Sequence, residues 1–407
     1  VVRIPCAHGI IKGINLKKAL ALKGVVAAVT ADELDTVAMD ETWVPALVKE
    51  RVRSYADAIA VVAAETEKIA IDAAKLVKVD YEELPPVFDV LEALKPEAVP
   101  IHGKSNLYKK YRIVKGDIEK GLGDAEVVIE RTYTVPFAEH SYLETEAAIG
   151  VVQPEGGITV YGSFKAPFDV RRMVAKVLNF GLDKVRIIPI TLGGYFGGKD
   201  EDMALMATRV ALLALKTGRP VRIFNTREES ILESTKRHRY VLTYTVGAKR
   251  NGELTGMNIH ALADMGAYSV KSPIVTYRSS VEAAGPYKIP NVKIEVESVF
   301  TNNNNTGSFR GFGSPQVNFA CESIMDELAE ELGMDPFEFR MLNALQDGDT
   351  TPSGQRLTGV SVKQCLQEAV SRVDWKNRTN KDQQGDIKRG IGVSASFRGI
   401  SLGGIAV

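Results

Sequence analysis

Thr191-Leu-Gly-Gly-Tyr-Phe-Gly-Gly-Lys-Asp-Glu-Asp202 is the stretch around which the sequence is organised. The apolar residues 185–190 before it predict a strand, and the pattern of residues 203–216 after it predicts a helix. Its four glycines therefore lie in a strand-to-helix turn. Glycine there allows a positive φ and lets a ligand approach backbone N–H groups, and the helix start adds further unpaired N–H groups. This turn predicts an anionic ligand, such as a phosphate.

A glycine-rich turn alone is weak support for binding, and a purely structural turn is an equal alternative. The spacings G-x-G-x-x-G and G-x-x-x-x-G-K-[ST] of known phosphate loops are absent from it. A second stretch of this kind, Thr306-Gly-Ser-Phe-Arg-Gly-Phe-Gly-Ser-Pro-Gln316, changes the balance. Both stretches combine glycines with aromatic residues and a cation. Together they predict one large ligand held between two loops.

The two glycine-rich stretches resemble those of the molybdenum-binding subunit of the xanthine dehydrogenase and xanthine oxidase family. Glu139-His-Ser-Tyr-Leu-Glu-Thr145 is similar to a third signature of that family. The resemblance runs over nearly the whole chain, and the three motifs follow the family's order. It extends to the large half of a split molybdopterin subunit, as in nicotinate dehydrogenase.

The bulk properties exclude some classes of function. The 407 residues indicate at least two domains, and 51 basic residues balance 51 acidic ones, so charge gives no argument for nucleic acid or a membrane surface. No apolar run approaches the roughly 20 residues of a membrane span. The three cysteines, Cys6, Cys321 and Cys365, are far apart and form no C-x-x-C pair. They cannot build a zinc or iron–sulfur site locally and suit a reducing, cytoplasmic compartment.

The pattern of elements predicts a mixed α/β (α+β) fold. Residues 1–105 resemble the family's small hammerhead-type α/β domain, with the beginning of that domain missing. Residues 106–131 are interpreted as a linker with a strand at its end, and residues 132–377 as the first molybdopterin-binding domain. Residues 378–407, with a strand at 389–397, are expected to begin a second such domain. The chain is therefore expected to be one half of a split subunit or part of a longer polypeptide.

Several residues of the two loops are expected to hold the cofactor that the resemblance implies. That cofactor is molybdopterin, either as such or in its cytosine dinucleotide form, with molybdenum bound to the pterin and no metal ligand from a protein side chain. Phe196 and Arg310 are expected at the reacting centre. The residues assigned to the cofactor are Gly194, Tyr195, Phe196, Gly197, Gly198, Phe309 and Arg310.

Three residues are expected to contact the substrate. Glycines on both sides of Phe312 cannot fill space, so a ligand should pack on its ring; the alternative is a core aromatic residue. The resemblance places Arg278 where purine-oxidising members carry a substrate-orienting arginine, although the sequence alone favours a surface arginine. Asp200 occupies the position of a substrate-facing glutamate, one methylene longer. Glu201 is interpreted as a first-turn helix charge.

The chain departs from the family at two places. Phe164 stands where a glutamine usually bonds a molybdenum oxygen, so that contact is lost or supplied elsewhere. No Gly-x-Gly-Glu segment supplies the general base of the family: Gly390-Ile-Gly392 is followed by Val393. We therefore expect the base on another polypeptide or segment. His140, between Glu139 and Ser141, is interpreted as a structural residue and not a metal ligand.

The resemblance implies a molybdenum hydroxylase that acts on an electron-poor carbon of a purine or another N-heteroaromatic substrate. Electrons would leave through iron–sulfur clusters to FAD on partner chains. A second molybdopterin subunit, or a C-terminal domain, would complete the site. The alternatives are an aldehyde oxidoreductase, a non-catalytic scaffold subunit and a simple phosphate- or nucleotide-binding module. Carbon monoxide oxidation is disfavoured because Gly307 stands where those enzymes carry a copper-binding cysteine.

Overall fold

The computed structural model describes residues 1–34, 42–378, 386 and 388–399. These residues form fourteen strands and eleven α-helices. The strands are β1 Gly9–Asn15, β2 Val25–Thr30, β3 Arg51–Val52, β4 Ala60–Ala64, β5 Lys78–Glu83, β6 Leu107–Lys115, β7 Val127–Val135, β8 Ala147–Val152, β9 Ile158–Gly162, β10 Val185–Pro189, β11 Val221–Phe224, β12 Tyr240–Ala248, β13 Leu254–Asp264 and β14 Asn291–Val299. The helices are α1 Lys17–Leu20, α2 Glu67–Leu76, α3 Val90–Ala93, α4 Ile118–Gly123, α5 Pro167–Val177, α6 Glu201–Thr217, α7 Arg227–Glu233, α8 Ser272–Glu282, α9 Ser314–Glu331, α10 Pro336–Asn343 and α11 Val362–Ser371.

The N-terminal part of the chain combines two small sheets with two helices. Strands β3, β1 and β5 form one antiparallel sheet, and β2 pairs with β4 in another. The apolar residues 25–30 predict a strand, which is β2, and the pattern of residues 65–76 predicts a helix, which is α2; its N-cap Thr66 accepts a hydrogen bond from the Ile69 N–H. The pattern of residues 15–22 predicts a further helix, which is the shorter α1 because residues up to Asn15 belong to β1.

A five-stranded sheet with the order β6-β14-β13-β12-β7 forms the largest core. Its β12–β13 hairpin, joined by the turn at residues 249–253, is the hairpin predicted from the sequence. Side chains on β12 alternate between buried and half-buried, as in a sheet with one covered face. Buried side chains of α9 cover that face.

Residues 106–131 are not the linker expected from the sequence. They contain β6, α4 and the beginning of β7, and β6 and β7 are the two edge strands of the five-stranded sheet. Polar turn residues around α4 suggested a linker, but edge strands exposed to solvent carry the same polar composition. This segment is therefore an integral part of the sheet.

A four-stranded sheet with the order β10-β9-β8-β11 carries the first glycine-rich stretch. As predicted, β10 leads into that stretch and α6 leads out of it. Helices α5 and α6 pack on the sheet and bury apolar side chains such as Val174 and Val210 between them. The loop is thus anchored by the edge strand β10 before it and by the largely buried helix α6 after it.

Helix α6 also connects the four-stranded sheet with the N-terminal part of the chain, which contains β1 to β5. Its Leu205 and Leu212 pack in one cluster with Val29 of β2. Beside this cluster, the buried carboxylate of Glu233 pairs with Arg209 of α6 and, at 2.8 Å, with Arg3. Burial acts to raise the pKa of Glu233, but the two arginines hold it below its ordinary value. A buried ion triad therefore ties residue 3 to α6 and α7.

The described C-terminal residues, 388–399, do not form the strand predicted there: they carry no strand pairing with other described residues. Their backbone groups meet side chains instead. The Ala395 N–H donates to Glu322 Oε2 at 2.9 Å, and the Gly399 carbonyl accepts from Arg278. The alternating apolar pattern of this segment predicts a strand. It does not show that the backbone groups bond to side chains instead of to a neighbouring strand.

Among the described residues, none of the helices has the length and apolar character required to cross a lipid bilayer.

Replacement of Glu233 by glutamine is expected to lower the free energy of unfolding by about 3 kcal/mol or more, because it leaves two buried arginines without their counter-charge. Urea denaturation followed by circular dichroism measures this change. Glu228→Gln, on the exposed side of the same helix, is the control and should change stability by less than about 0.5 kcal/mol. Equal, small losses in both variants would contradict a stabilising role of the triad.

Candidate functional site

The two glycine-rich loops lie directly against each other. The Arg310 N–H donates to the Phe196 carbonyl at 2.6 Å. Gly197 has a φ of 116°, and a Cβ added to it would lie 2.7 Å from the Ser308 carbonyl oxygen. Only glycine permits this approach, since real Cβ atoms are not found so close to backbone oxygen. The conformations of the two loops therefore depend on each other.

The third motif, residues 139–145, holds the first loop through hydrogen bonds. The Glu144 carboxylate accepts hydrogen bonds from the Gly193 N–H and from Lys199 Nζ, the latter at 2.9 Å. Lys199 is fully buried, and its ammonium also lies 5.0 Å from the centre of the Tyr142 ring. A Cβ on Gly198 would lie 1.8 Å from Tyr142 Oη, so glycine is required there as well.

Four stacked rings from three segments join these motifs, and we call them the aromatic column: Phe309, His140, Tyr142 and Phe196. Successive ring centres are 4.2, 5.1 and 6.3 Å apart, with angles between planes of 13°, 16° and 21°. The Arg237 guanidinium covers the free face of Phe309 at 4.1 Å. Burial lowers the pKa of His140 to about 4, so its ring is neutral at pH 7 and stacks as an uncharged aromatic group.

The column changes the expected role of Phe309. Its ring is enclosed between His140 and Arg237, so it holds the loop and offers its backbone, not its ring, to a ligand. Phe196, at the other end, is 39% exposed, and the neighbouring Tyr195 is 42% exposed. This stacking could not be predicted from local pattern, because the three segments that supply the rings lie far apart along the chain.

The first loop leaves a row of backbone donors free. The N–H groups on either side are used: Gly193 donates to Glu144, and Lys199 and Asp200 donate to Asp202. From Gly194 to Gly198, none of the N–H groups donates to an acceptor within the part of the chain that the structure describes. Such a row, with glycines at positive φ, forms a concave site for anionic oxygens.

The Asp202 carboxyl that holds the end of this loop was not predicted from the sequence. It is buried at the start of α6, and burial, followed by the negative charges of Glu146 and Glu201, raises its pKa to about 8. At pH 7 this group is therefore largely protonated. A protonated carboxyl still accepts the Asp200 N–H at 2.8 Å without placing a negative charge beside the free donors.

The second loop contains a strained residue. Phe312 has a φ of 52° between Gly311 and Gly313, and its N–H donates to the Phe309 carbonyl at 2.7 Å. Left-handed backbone at a bulky residue costs on the order of 1–3 kcal/mol and is found at functional sites. Its ring is only half-buried, and the Arg310 side chain beside it is exposed. Both side chains are accessible to a ligand.

Asp200 is not free to face a substrate as predicted. It is buried, and its Oδ2 pairs with Lys271 at 2.5 Å and with Lys165 at 3.3 Å. Lys271 also pairs with Glu201 Oε1 at 3.0 Å. Glu201, expected as an exposed first-turn charge, is buried, and burial and Asp200 raise its pKa. These lysines come from remote segments, so the sequence could not reveal the cluster.

Arg278 is a buried residue of α8, and the surface arginine favoured by sequence alone is wrong. Its guanidinium pairs with Glu282 one turn further along the helix, at 3.1 Å. Glu282 in turn accepts a hydrogen bond from Ser314, which follows the second loop. Arg278 and Asp200 thus have different ion-pair partners among the described residues, and the structure does not pair them with each other.

Phe164 points into the core between the four-stranded sheet and helices α5 and α6. Its ring also packs on Gly162, where an added Cβ would lie 2.7 Å from the ring. The position of the family's glutamine is therefore an apolar core position in this chain. Its side chain makes no polar contact toward the loops.

Comparison with known proteins identifies the relatives of this chain. Residues 101–344 match the molybdopterin cofactor-binding domain, and residues 1–85 match the a/b hammerhead domain of aldehyde oxidase and xanthine dehydrogenase. The chain is 37% identical to a probable xanthine dehydrogenase subunit of Bacillus subtilis, over 99% of this chain and 54% of that protein. It is 36% identical to the nicotinate dehydrogenase large molybdopterin subunit of Eubacterium barkeri, over 91% of this chain and 87% of that protein.

The fold is similar to that of solved enzymes. The aldehyde oxidoreductase of Desulfovibrio gigas superimposes with a TM-score of 0.85 at 30% identity, over 94% of this chain and 44% of that one. The chain spans about half the length of most of these relatives. The predicted mixed α/β fold, with a hammerhead-type domain before a molybdopterin-binding domain, is confirmed. The chain therefore belongs to the molybdenum oxidoreductase family of xanthine dehydrogenase and aldehyde oxidoreductase, as a molybdopterin-binding member.

Proposed function

We propose that this chain is the molybdopterin-binding part of a hydroxylase that oxidises an electron-poor carbon of a purine or another N-heteroaromatic substrate. The observation that carries the proposal is the pair of interlocked glycine loops. They combine free N–H groups from Gly194 to Gly198 with an exposed Arg310 and two accessible rings, Phe196 and Phe312. A scaffold has no need of such a surface.

These residues fit the pterin–molybdenum group. The free N–H groups are donors for its oxygen atoms, and positive φ at Gly194 and Gly197 aims the backbone at a ligand without side-chain interference. Arg310 adds a fixed positive charge for phosphate or carbonyl oxygens. When bound, the group supplies the two-electron oxidation that hydroxylation requires. The cytosine dinucleotide form of the cofactor is part of the same proposal.

The protein's own residues position the reactants. The aromatic column fixes Phe196 and the backbone of Phe309, so the floor of the site is rigid before a ligand arrives. Phe312, held by its strained backbone, is the proposed stacking surface for a planar substrate, a contact worth about 1 kcal/mol beyond burial. Pre-organisation of this kind lowers the cost of orienting a substrate.

We further propose that the electrons pass to iron–sulfur and FAD-containing partner chains. The general base, and the wall of the site that carries it, would come from a second molybdopterin subunit or a C-terminal domain. The nicotinate dehydrogenase relative is named as one subunit among others, which supports a hetero-oligomer. A cytoplasmic location is part of the same proposal.

An aldehyde oxidoreductase is the second candidate, and one observation favours it. Asp200 and Arg278, which the resemblance assigns to a purine, are both held in ion pairs within the protein. A neutral aldehyde needs neither charge. For a purine, the arginine would have to exchange its contact with Glu282 for one with the substrate.

Gly197→Val is expected to reduce molybdenum to less than about a tenth of the wild-type content, because a β-branched side chain would separate the two loops. Gly311→Val should do the same, since its Cβ would lie 2.2 Å from the Pro315 ring. Elemental analysis of the purified complex is the measurement. Gly13→Val is the matched control, because a Cβ there meets nothing within 4 Å.

Wild-type molybdenum in both loop variants would contradict the assignment of the loops to the cofactor. Wild-type protein without molybdenum or pterin, purified from a host that makes both, would instead support a scaffold subunit.

Arg278→Met separates the two substrate classes. For a purine-type substrate, the arginine would bond a ring oxygen as charge develops. Its loss should remove about 2–4 kcal/mol of transition-state binding and lower kcat/KM accordingly. Oxidation of a neutral aromatic aldehyde by the same complex should fall far less. Steady-state kinetics with both substrates measures the ratio. Equal losses would show that Arg278 serves only the structure around Glu282.

A further inference from the structure

A large cavity lies at the end of the five-stranded sheet that is opposite the glycine loops. Its volume is about 680 Å³, which is in the range of small-molecule sites. Its walls come from the end of β6, the β12–β13 hairpin, the start of β14 and the loop after α10. The second glycine loop follows the other end of β14, nine residues away along the strand, or about 26 Å. The cavity is therefore separate from the proposed cofactor site.

Two asparagines, the buried Asn343 and the half-buried Asn291, make hydrogen bonds that hold the floor of this cavity. Asn343 accepts the Leu254 N–H and donates to the carbonyls of Gly252 and Phe339. Asn291 donates to the Thr255 carbonyl and accepts the Asp117 N–H. These bonds tie the hairpin, β14 and α10 together, so the cavity is held open by the fold and not by a mobile loop.

The rim carries an excess of positive charge. Four lysines line the cavity, against three acidic residues, which leaves a net charge of one positive unit. Three of the lysines pair with these acids: Lys120 with Asp124, Lys249 with Glu253, and Lys288 with Asp349. The three lysines, Asp124 and Glu253 are largely exposed, whereas the Asp349 side chain is only 14% exposed. Pairs between exposed groups contribute only about 0–1 kcal/mol, so a stronger anion can recruit Lys120 and Lys249, and Lys288 has its exposed ammonium available for a second anion.

The fourth lysine, Lys115, has no carboxylate partner among the described residues. Its ammonium is half-buried and donates to the Thr350 carbonyl at 2.9 Å. Burial lowers its pKa, and the positive charge of Lys288 acts in the same direction against the opposing effect of Asp349. Asp349 offsets part of the cost of holding this half-buried cation beside Lys288. An incoming anion would gain from both.

Part of the remaining lining of the cavity is apolar. Pro290 and Leu342 are exposed, with the buried Leu254 and Ile289 beside them. Thr255 also lines it, and its hydroxyl makes no hydrogen bond within the part of the chain that the structure describes. The cavity thus offers cations for phosphate oxygens and an apolar surface for a ring.

We propose that this cavity binds a small phosphorylated molecule that carries an aromatic or apolar group, of the size of a nucleoside diphosphate. The phosphate oxygens contact Lys115 and Lys288, and the ring packs on the exposed apolar side chains of Pro290 and Leu342. This inference is independent of the proposed function, because it uses none of the residues of the glycine loops.

Isothermal titration calorimetry of the purified protein with ADP, pyrophosphate and adenosine tests the proposal. ADP is expected to bind saturably, pyrophosphate more weakly, and adenosine without detectable heat. Lys115→Met should weaken ADP binding about tenfold or more, the loss of one charge-assisted hydrogen bond. Lys115→Arg keeps the charge and should bind ADP within about threefold of wild type.

Two controls separate this site from other causes. Lys68→Met removes one exposed positive charge from α2, in the other part of the molecule, and should leave ADP binding unchanged. Arg310→Met alters only the proposed cofactor site and should also bind ADP like wild type. The proposal is overturned if ADP does not bind, if Lys115→Met binds like wild type while remaining folded, or if either control loses as much affinity. Pyrophosphate binding as tight as that of ADP would overturn the role of the apolar wall.

Discussion

The contact of Gly197 with the backbone of Ser308 and Phe309 is the constraint on which the candidate site depends. It sets how close the two loops come, and this distance in turn decides that Arg310 can donate to Phe196 and that Phe309 can stack on His140. No side chain could stand at residue 197 without moving one loop. The rings, the buried Lys199 and the row of free N–H groups all depend on this approach.

At the candidate site, the acidic side chains are paired within the protein, whereas backbone donors and one guanidinium are free to bind a ligand. Glu144, Asp200 and Glu282 are each occupied by lysine, arginine or backbone donors of the protein. Burial and the negative charges of Glu146 and Glu201 raise the pKa of Asp202 to about 8, which reduces its negative charge at neutral pH. The surface between the loops therefore presents hydrogen-bond donors and the guanidinium of Arg310, with little negative charge to oppose an anionic ligand.

Local pattern was sufficient to predict much of the fold. Strand β10, helix α6, the β12–β13 hairpin and the cap at Asp335 follow from spacing, turn residues and capping chemistry. The ion-pair partner Lys271 of Asp200 could not be predicted, because only tertiary packing brings it to the site, whereas Arg278 and Glu282 lie one turn apart on α8. Residues 106–131 were interpreted as a linker because they are polar. They form edge strands, which are polar on their exposed side, so composition alone does not distinguish them from a linker.

The triad of Arg3, Arg209 and Glu233 has a consequence for synthesis on the ribosome. The two ends of the Arg3–Glu233 bond are 230 residues apart in sequence. The N-terminal strands leave the exit tunnel long before α6 and α7 exist, so their apolar surface around Val29 must wait without its partners. Contacts of such long separation form slowly. The apolar surface around Val29 therefore stays uncovered on the nascent chain until α6 has been synthesised.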